Sequence, residues 1–420
     1  MMIALVVHKL DPRLGGLARW VVSFAAHLAA RDHDVHIVTC RSANHDLDAT
    51  IHLVSDQAFV LSRADGVQRC LQQLRPDRVY DTGAGWAATV FHPHTGSHHE
   101  SERRFVASGG LGLRARALLS PRAARHRHQM LQLEVAQLRN AARVVAVSHL
   151  VERQLLRIEA GVAGRMTVVY NGVDTEVFSP RRRLAERARA RSDLGITDEI
   201  VFATAAYNFA LKGVDTAMRA TARLAAAGNR VRLVVAGGTP DAAWRRRARS
   251  WRLDGLVDFI GHTDDMAQVI AAADAIVHPT RWDACSLTTV EGMSAGLPVI
   301  STSANGSSEL IDHGVNGYVL EDPNDGVELA RCMGLLCSAG LRDSLGLAAR
   351  RAVVAHDADT NFKAVESMLI DGPRFSADPV PAAAVLDQRR PRSLWPLASA
   401  SRRLGAGPAD RQGARVGRLR

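Results

Sequence analysis

A chain of 420 residues with 47% apolar and 23% charged side chains has the make-up of a globular protein, which excludes a wholly disordered or fibrous one. At roughly 150 residues per domain it forms two large domains or three small ones, and no apolar run reaches the about 18 residues of a membrane-spanning helix. The net charge of +10 is uneven: residues 376–420 carry nine Arg and three Asp, more than half of the excess.

The opening stretch Met1–Lys9 is apolar for too few residues to be a secretory core, and its Lys follows the apolar run instead of preceding it. It reads as a first β-strand over Ile3–Val7, in a cytoplasmic protein. A helix follows near Leu17–Arg31, then a strand over Val35–Cys40; later strands are Arg143–Val147 and Thr167–Tyr170. A polar, Arg-rich stretch, Ser179–Ser192, reads as a linker with a helical end. The rhythm then restarts with strands at Ile200–Thr204, Val231–Ala236, Val257–Ile260, Ala275–Val277 and Val299–Ser301. Helices lie between them near Val214–Ala227, Met266–Ala273 and Leu287–Ala295, and a last helix near Thr360–Ile370. Strands alternating with helices predict an α/β protein of two doubly wound, parallel-sheet domains. The expected division is 1–175, 176–358, a crossing helix 359–371 that returns to the first domain, and a disordered basic tail 376–420. Five scattered Cys, odd in number and without a CxxC pair, argue against a disulfide framework and against a zinc ribbon.

Four segments carry chemistry. Gly15-Gly16 opens the first helix, where a backbone without side chains and a helix N-terminus suit a phosphate; the GxGxxG spacing of a dinucleotide site is absent. Lys212 precedes Gly213 at a strand-to-helix turn and is one of only three Lys against fifty Arg, which suits a point charge on a diphosphate. Asp283 and Glu291 flank the start of a helix, so both can face one cleft while the amides of Ser286, Leu287 and Thr288 point out of that helix. His92, His94, His98 and His99 cluster in one loop. A metal is one reading of them; a histidine offered to a substrate hydroxyl is preferred, because no carboxylate frame accompanies them. The triplets Asp32-His33-Asp34, Asp46-Leu47-Asp48 and Asp357-Ala358-Asp359 do not follow strands and read as structural.

The set, taken in order, resembles the retaining family 4 glycosyltransferases of the GT-B fold over about residues 3–370. The likeness rests on Gly15-Gly16-Leu17, Val145-Ala146-Val147-Ser148, Val169–Asp174, Lys212-Gly213-Val214-Asp215, Phe259-Ile260-Gly261-His262 and the block from Asp283 through Glu291 to Val299. Within that family the Gly-Gly-Leu loop, the Phe209–Asp215 run and the stretch from His278 to Pro298 resemble the lipopolysaccharide core glucosyltransferase I group. The resemblance implies two Rossmann-like domains facing across a cleft that holds a nucleotide-sugar, most simply UDP-linked glucose or a related hexose. It implies donor contacts from Gly15, Gly16, Lys212, Gly261, His262, Ser286, Leu287, Thr288 and Glu291. Glu291 would hold the ribose, the turn at Gly261-His262 the nucleobase, and Lys212 the phosphates. His94 and Asp283 would be the catalytic pair, and His98 the alternative on the acceptor side. No metal and no cofactor are implied, because amides, helix dipole and Lys212 supply the charge.

Four positions depart from the family pattern. Asp283 replaces a Glu, Leu211 and Ala206 stand where a second cation is usual, and Ser286 replaces a Gly. The acceptor implied is a hydroxyl of a lipopolysaccharide, envelope glycan or lipid-linked glycan, with the enzyme peripheral on the inner membrane face through the tail and Arg122, Arg125, Arg127 and Arg143. The alternatives are a GDP-mannose-dependent mannosyltransferase, a nucleotide-sugar epimerase, and a non-catalytic nucleotide-sugar-binding protein on the same fold. Nucleic acid is not an expected partner, since the Arg-rich tail lacks interleaved aromatics.

Overall fold

The computed structural model describes residues 1–376 apart from 12–14, 44–46 and 58, so the tail from 377 and Asp46 of the second Asp triplet lie outside the described residues. Two parallel sheets organise the chain. The first holds β1 (Met2–Leu10), β2 (Asp34–Ser42), β3 (Thr50–Leu53), β4 (Arg78–Asp81), β5 (Val90–Phe91), β6 (Arg143–Ala146) and β7 (Met166–Val168), in the order β3-β2-β1-β4-β5-β6-β7. The second holds β8 (Ile200–Ala206), β9 (Val231–Gly237), β10 (Val257–Gly261), β11 (Ala275–Val277), β12 (Val299–Thr302) and β13 (Gly317–Leu320), in the order β10-β9-β8-β11-β12-β13. All strand pairs run parallel. Counted from its own first strand, each sheet has the Rossmann order 3-2-1-4-5-6, which β7 extends in the first. Both faces of such a sheet are covered by helices, which is why Ile3–Val7 is buried at every residue and reads as an unbroken apolar run.

This order decides where ligands go. A crevice opens at the carboxyl ends of the strands where the winding reverses: between β1 and β4 in the first sheet, and between β8 and β11 in the second. The two crevices face each other. Ser148 Oγ donates to the Ala284 carbonyl (2.8 Å), Asn171 Nδ2 to the Cys285 carbonyl (2.9 Å), and the His149 amide and Tyr170 hydroxyl both donate to Glu309 (2.9 and 2.8 Å).

The stretch expected as a linker is helical throughout, from Pro180 to Asp193. Ser179 caps it by accepting from the Arg182 amide, and Pro180 occupies the first turn, where its missing N–H costs nothing. Its arginines are docked: Arg187 and Arg191 converge on Asp274 (2.7 and 3.3 Å) and donate to the carbonyls of Ala271, Ala272 and Ala273 at the end of the helix Met266–Ala272. The last helix, Ala358–Ile370, packs on the first sheet's helix Gly16–Ala29. Trp20 Nε1 donates to Asn361 (3.0 Å), and Glu366 gathers His27, Arg31 and His33 at 3.0–3.3 Å. The outer Asp triplets have local duties. Asp32 takes a left-handed turn (φ 60°) before β2, and Asp357 caps the last helix.

Candidate active site

The cleft between the two crevices has a volume of about 280 Å³. The first domain contributes the Gly15-Gly16 loop after β1, Arg19 and Trp20 from the helix that follows, His94, and Asn171. The second contributes the end of β8 with Tyr207, then Lys212, His262, His278, Asp283, Ser286–Thr288 and Glu291. Of the residues singled out from sequence, His94, Asp283, Gly15, Gly16, Lys212, His262, Ser286, Leu287, Thr288 and Glu291 all line this one space. Gly261 stands just behind it, turning the chain at φ +72° ahead of His262. His98 lines a neighbouring cavity instead.

The glycines are used where the two domains touch. Gly15 has φ +136° and ψ −174°, a conformation open to glycine alone. A Cβ on Gly16 would lie 2.5 Å from Leu287 Cδ1, so the bare backbone of one domain meets the first residue of the helix Leu287–Ser294 of the other. Gly213 aims Lys212. It has φ +68°, and a Cβ there would lie 1.9 Å from the Pro279 carbonyl oxygen. Gly213→Ala is expected to cost about 3 kcal/mol, left-handed strain plus overpacking. Gly195→Ala carries similar strain (φ +61°) into open space and should cost less. Thermal melting of the two variants checks this, and equal losses would contradict the proposed clash.

Lys212 Nζ forms an ion pair with Asp283, and His278 Nε2 lies 3.2 Å from the same carboxylate oxygen. Burial would raise the Asp283 pKa, but the Lys212 charge and the bonds from His278 and Lys212 overcome it and hold the carboxyl below the usual range. The cation expected on the phosphates is therefore paired with an acid of its own domain. A second cation in the cleft lining is Arg19, at an exposed position of the first helix, whose charge reaches Glu291. Arg281, whose amide donates to the Leu211 carbonyl (2.8 Å) beside Lys212, is spent elsewhere, its guanidinium donating to both oxygens of Asp215 (2.9 and 3.0 Å).

The helix Leu287–Ser294 begins at the cleft. Ser286 is its cap, accepting from the Thr289 amide (3.4 Å). Of the three amides expected to face an anion, that of Ser286 is already committed to Asn305 Oδ1 (3.1 Å), which leaves those of Leu287 and Thr288. Glu291, one turn further, is buried (7% exposed), and burial pushes its pKa up to about 7 against the pull of Arg19. Its carboxylate makes no hydrogen bond among the described residues. On the far side His262 bonds Tyr207 (2.9 Å) and Asp264 (3.0 Å).

The loop histidines divide. His92 and His94 stack at 3.9 Å, and the Tyr80 hydroxyl bridges them at 2.8 and 2.7 Å. Burial lowers the His94 pKa to about 3 despite Asn171 alongside, so it is a neutral imidazole. His98 begins the helix His98–Ser108. The buried carboxylate of Glu134 accepts from its amide and from that of His99 (2.8 and 3.2 Å). Burial lowers the His98 pKa to about 4, and its Nε2 has no hydrogen-bond partner. Its cavity, about 430 Å³, shares Gly15, Gly16, Leu17 and Thr95 with the cleft and adds His8, Lys9, Arg63 and Thr82 at the β1–β4 crevice.

Two known domain families match this chain in tandem. Residues 14–177 match Glycosyltransferase Family 4, and residues 197–338 match the Glycosyl transferases group 1, together well over half of the chain. The chain is a glycosyltransferase of the GT-B type. This glycosyltransferase is 26% identical over 389 residues to a D-inositol 3-phosphate glycosyltransferase of Mycobacterium marinum, covering 85% of this chain and 80% of the relative. A protein of the same name from Mycobacterium bovis is 31% identical over 179 residues, 40% of this chain and 35% of that one. Among solved structures, WaaG, a glycosyltransferase involved in lipopolysaccharide biosynthesis, superposes with a TM-score of 0.75 at 21% identity, over 88% of this chain and all of the other. Anabaena HepE in complex with UDP and glucose superposes at 0.69 and 19% identity, over 88% and 99%.

Sequence reasoning missed Arg19, Tyr207 and Asn171 in the cleft. Arg19 had a usable signal, since it follows the Gly15-Gly16 loop by one helical turn. Asn171 had one too, since it lies in the Val169–Asp174 segment that carries the resemblance, where no role was assigned to it; Tyr207 had none locally.

Proposed function

We propose that this enzyme transfers glucose or a related hexose from a UDP-sugar, with retention of anomeric configuration, to a hydroxyl of an envelope glycan or lipid-linked glycan. The observation that carries the reading is the convergence, in one cleft, of Lys212, the free amides of Leu287 and Thr288, and a buried Glu291 carboxylate without a partner. Glu291 accepts the ribose hydroxyls, the His262 turn faces the base, and the helix N-terminus with Lys212 and Arg19 takes the diphosphate. These groups carry the phosphate charge without a metal ion. As the C1–O bond to the phosphate lengthens, fixed donors stabilise the growing negative charge. The acceptor oxygen bonds C1 from the same face.

The acceptor proton goes to the departing phosphate oxygen. His94 and Asp283 are both too acidic to take it at neutral pH, and the neutral His94 instead hydrogen-bonds the sugar. HepE, which shares the fold, is described with UDP-glucose, which supports the nucleotide. Lys9 and Arg63 in the neighbouring cavity favour an acceptor that carries a phosphate or carboxylate, a chemistry present in the acceptor named for the mycobacterial relatives. The reading is tested by proton NMR of the product formed from UDP-glucose and an envelope glycolipid extract. An anomeric coupling that matches the donor supports it, and an inverted coupling overturns it.

For membrane docking, the first domain presents Phe105, Leu118 and Leu119 at 42, 49 and 80% exposure, next to Arg116, Arg122 and Arg125. Apolar tips within basic charge suit an anionic lipid surface. Arg143 does not join them, since it begins β6 at the edge of the sheet opposite the cleft. Among the described residues no helix is long and apolar enough to cross a membrane. Replacing Leu118 and Leu119 together by Glu is expected to abolish flotation with anionic vesicles while UDP binding is kept. Unchanged flotation would remove these helices from the docking face.

A further inference from the structure

Outside the donor cleft, three ligand-bearing side chains from three separate segments meet at the carboxyl edge of the first sheet. His8 is in β1 and Cys40 in β2. The parallel register pairs Val7 with Thr39 and Lys9 with Arg41, so His8 and Cys40 face each other across one rung and share a face of the sheet. Asp56 comes from the segment after β3, and its carboxylate lies 3.3 Å from His8 Nε2. The imidazole nitrogen, the Cys40 sulfur and an Asp56 oxygen all lie within 4.8 Å of one another, and no other three-ligand group of this kind occurs among the described residues.

We propose that His8, Cys40 and Asp56 bind a zinc ion at the rim of the second cavity. The donor set is one nitrogen, one sulfur and one oxygen, each a normal zinc ligand, and the thiolate selects a borderline-soft metal over magnesium or calcium. Tetrahedral bonds of 2.0–2.3 Å put ligand atoms roughly 3.5 Å apart, a spacing that His8 and Asp56 already have at 3.3 Å. Two ligands are held by paired strands. The third, a carboxylate with 48% side-chain exposure, can adjust to the ion. Three protein ligands leave the fourth position to water. His8 also lines the second cavity, together with Lys9, Arg63 and His98. The ion would tie the segment carrying Asp56 to the sheet edge and shape that cavity, and the proposal stands independently of the nucleotide reading.

The test uses the full chain, stripped of metal and titrated with Co²⁺ alone, then with Zn²⁺ in competition. The expected result is one Co²⁺ per chain with a thiolate-to-cobalt charge-transfer band in the near ultraviolet, displaced by Zn²⁺. Cys40→Ser must lose the band, and Asp56→Asn, at an exposed carboxylate that leaves the fold undisturbed, must weaken Co²⁺ binding at least tenfold. A cooperative thermal melt in both metal-free variants, at the wild-type temperature, reports that they are folded. A wild-type chain without the band, a band that survives Cys40→Ser, or unweakened binding in Asp56→Asn would overturn the proposal.

Discussion

Glu291→Gln raises the melting temperature of the ligand-free enzyme at pH 8 and weakens UDP binding by one to two orders of magnitude: this is the expected result of burying a carboxylate that waits for a ligand. The folded group titrates near pH 7 and the unfolded one near 4.5. Between those values the folded chain holds a proton that the unfolded chain has lost, so this group's contribution to stability falls as pH rises from about 4.5 through 7. The ionised form then costs up to about 3 kcal/mol at pH 8. Glutamine removes that cost and flattens the pH dependence, so the two proteins should melt alike at pH 5 and diverge at pH 8. The same change removes a charged acceptor from the ribose hydroxyls, a hydrogen bond of about 1.5–3 kcal/mol. Melting curves from pH 5 to 8 and UDP titrations of both proteins check it. A variant that is less stable at pH 8, or that binds UDP as the wild type does, would show Glu291 to be a structural residue.

Lys212→Ala is expected to lower kcat by a factor of about 10²–10³, the loss of one preorganised charge at a leaving group. It also strands Asp283. The pair contributes stability at all pH values above the carboxyl's ordinary range, and that contribution is lost as pH falls through its depressed folded pKa. Removing the cation should therefore cost about 3 kcal/mol at neutral pH. Lys212→Ala combined with Asp283→Asn separates the two effects, because it leaves no uncompensated charge. The double variant should regain most of the stability and none of the turnover. Recovered turnover would place the phosphate charge on Arg19 and the helix amides instead.

The two sheets are legible in the sequence because a parallel sheet buries both faces, and runs such as Ile3–Val7 and Leu233–Ala236 carry no competing signal. Short strands with polar residues, such as β3 (Thr50–Leu53), have no such run. The helix Pro180–Asp193 is obscured for a different reason: its docking depends on Asp274, a residue eighty positions away, and nothing local says that an Arg-rich segment has a carboxylate to pack on. The same distinction divides the site. Gly15, Gly16 and Lys212 sit at strand-to-helix turns, and Glu291 in the helix that follows another, where the chemistry is local, so their residue types announce them. The pairing of Lys212 with Asp283, the loss of the Ser286 amide to Asn305 and the arrival of Arg19 from the opposite domain are tertiary events. His98 illustrates the limit, since a loop of four histidines points to a functional region while the packing of Tyr80 and Glu134 decides which cavity each ring enters.

Titration of the wild-type enzyme with UDP, GDP and ADP, each with Mg²⁺ and with EDTA, bears on the donor cleft without any assumption about sugar or acceptor. The account predicts a UDP-selective rise in melting temperature, since a ligand that binds only the folded state stabilises it by mass action. The rise should be unchanged by EDTA and absent in Glu291→Gln combined with Lys212→Ala. A rise with GDP alone would keep the cleft but replace the donor with a guanosine-linked sugar, and no rise with any nucleotide would contradict the account.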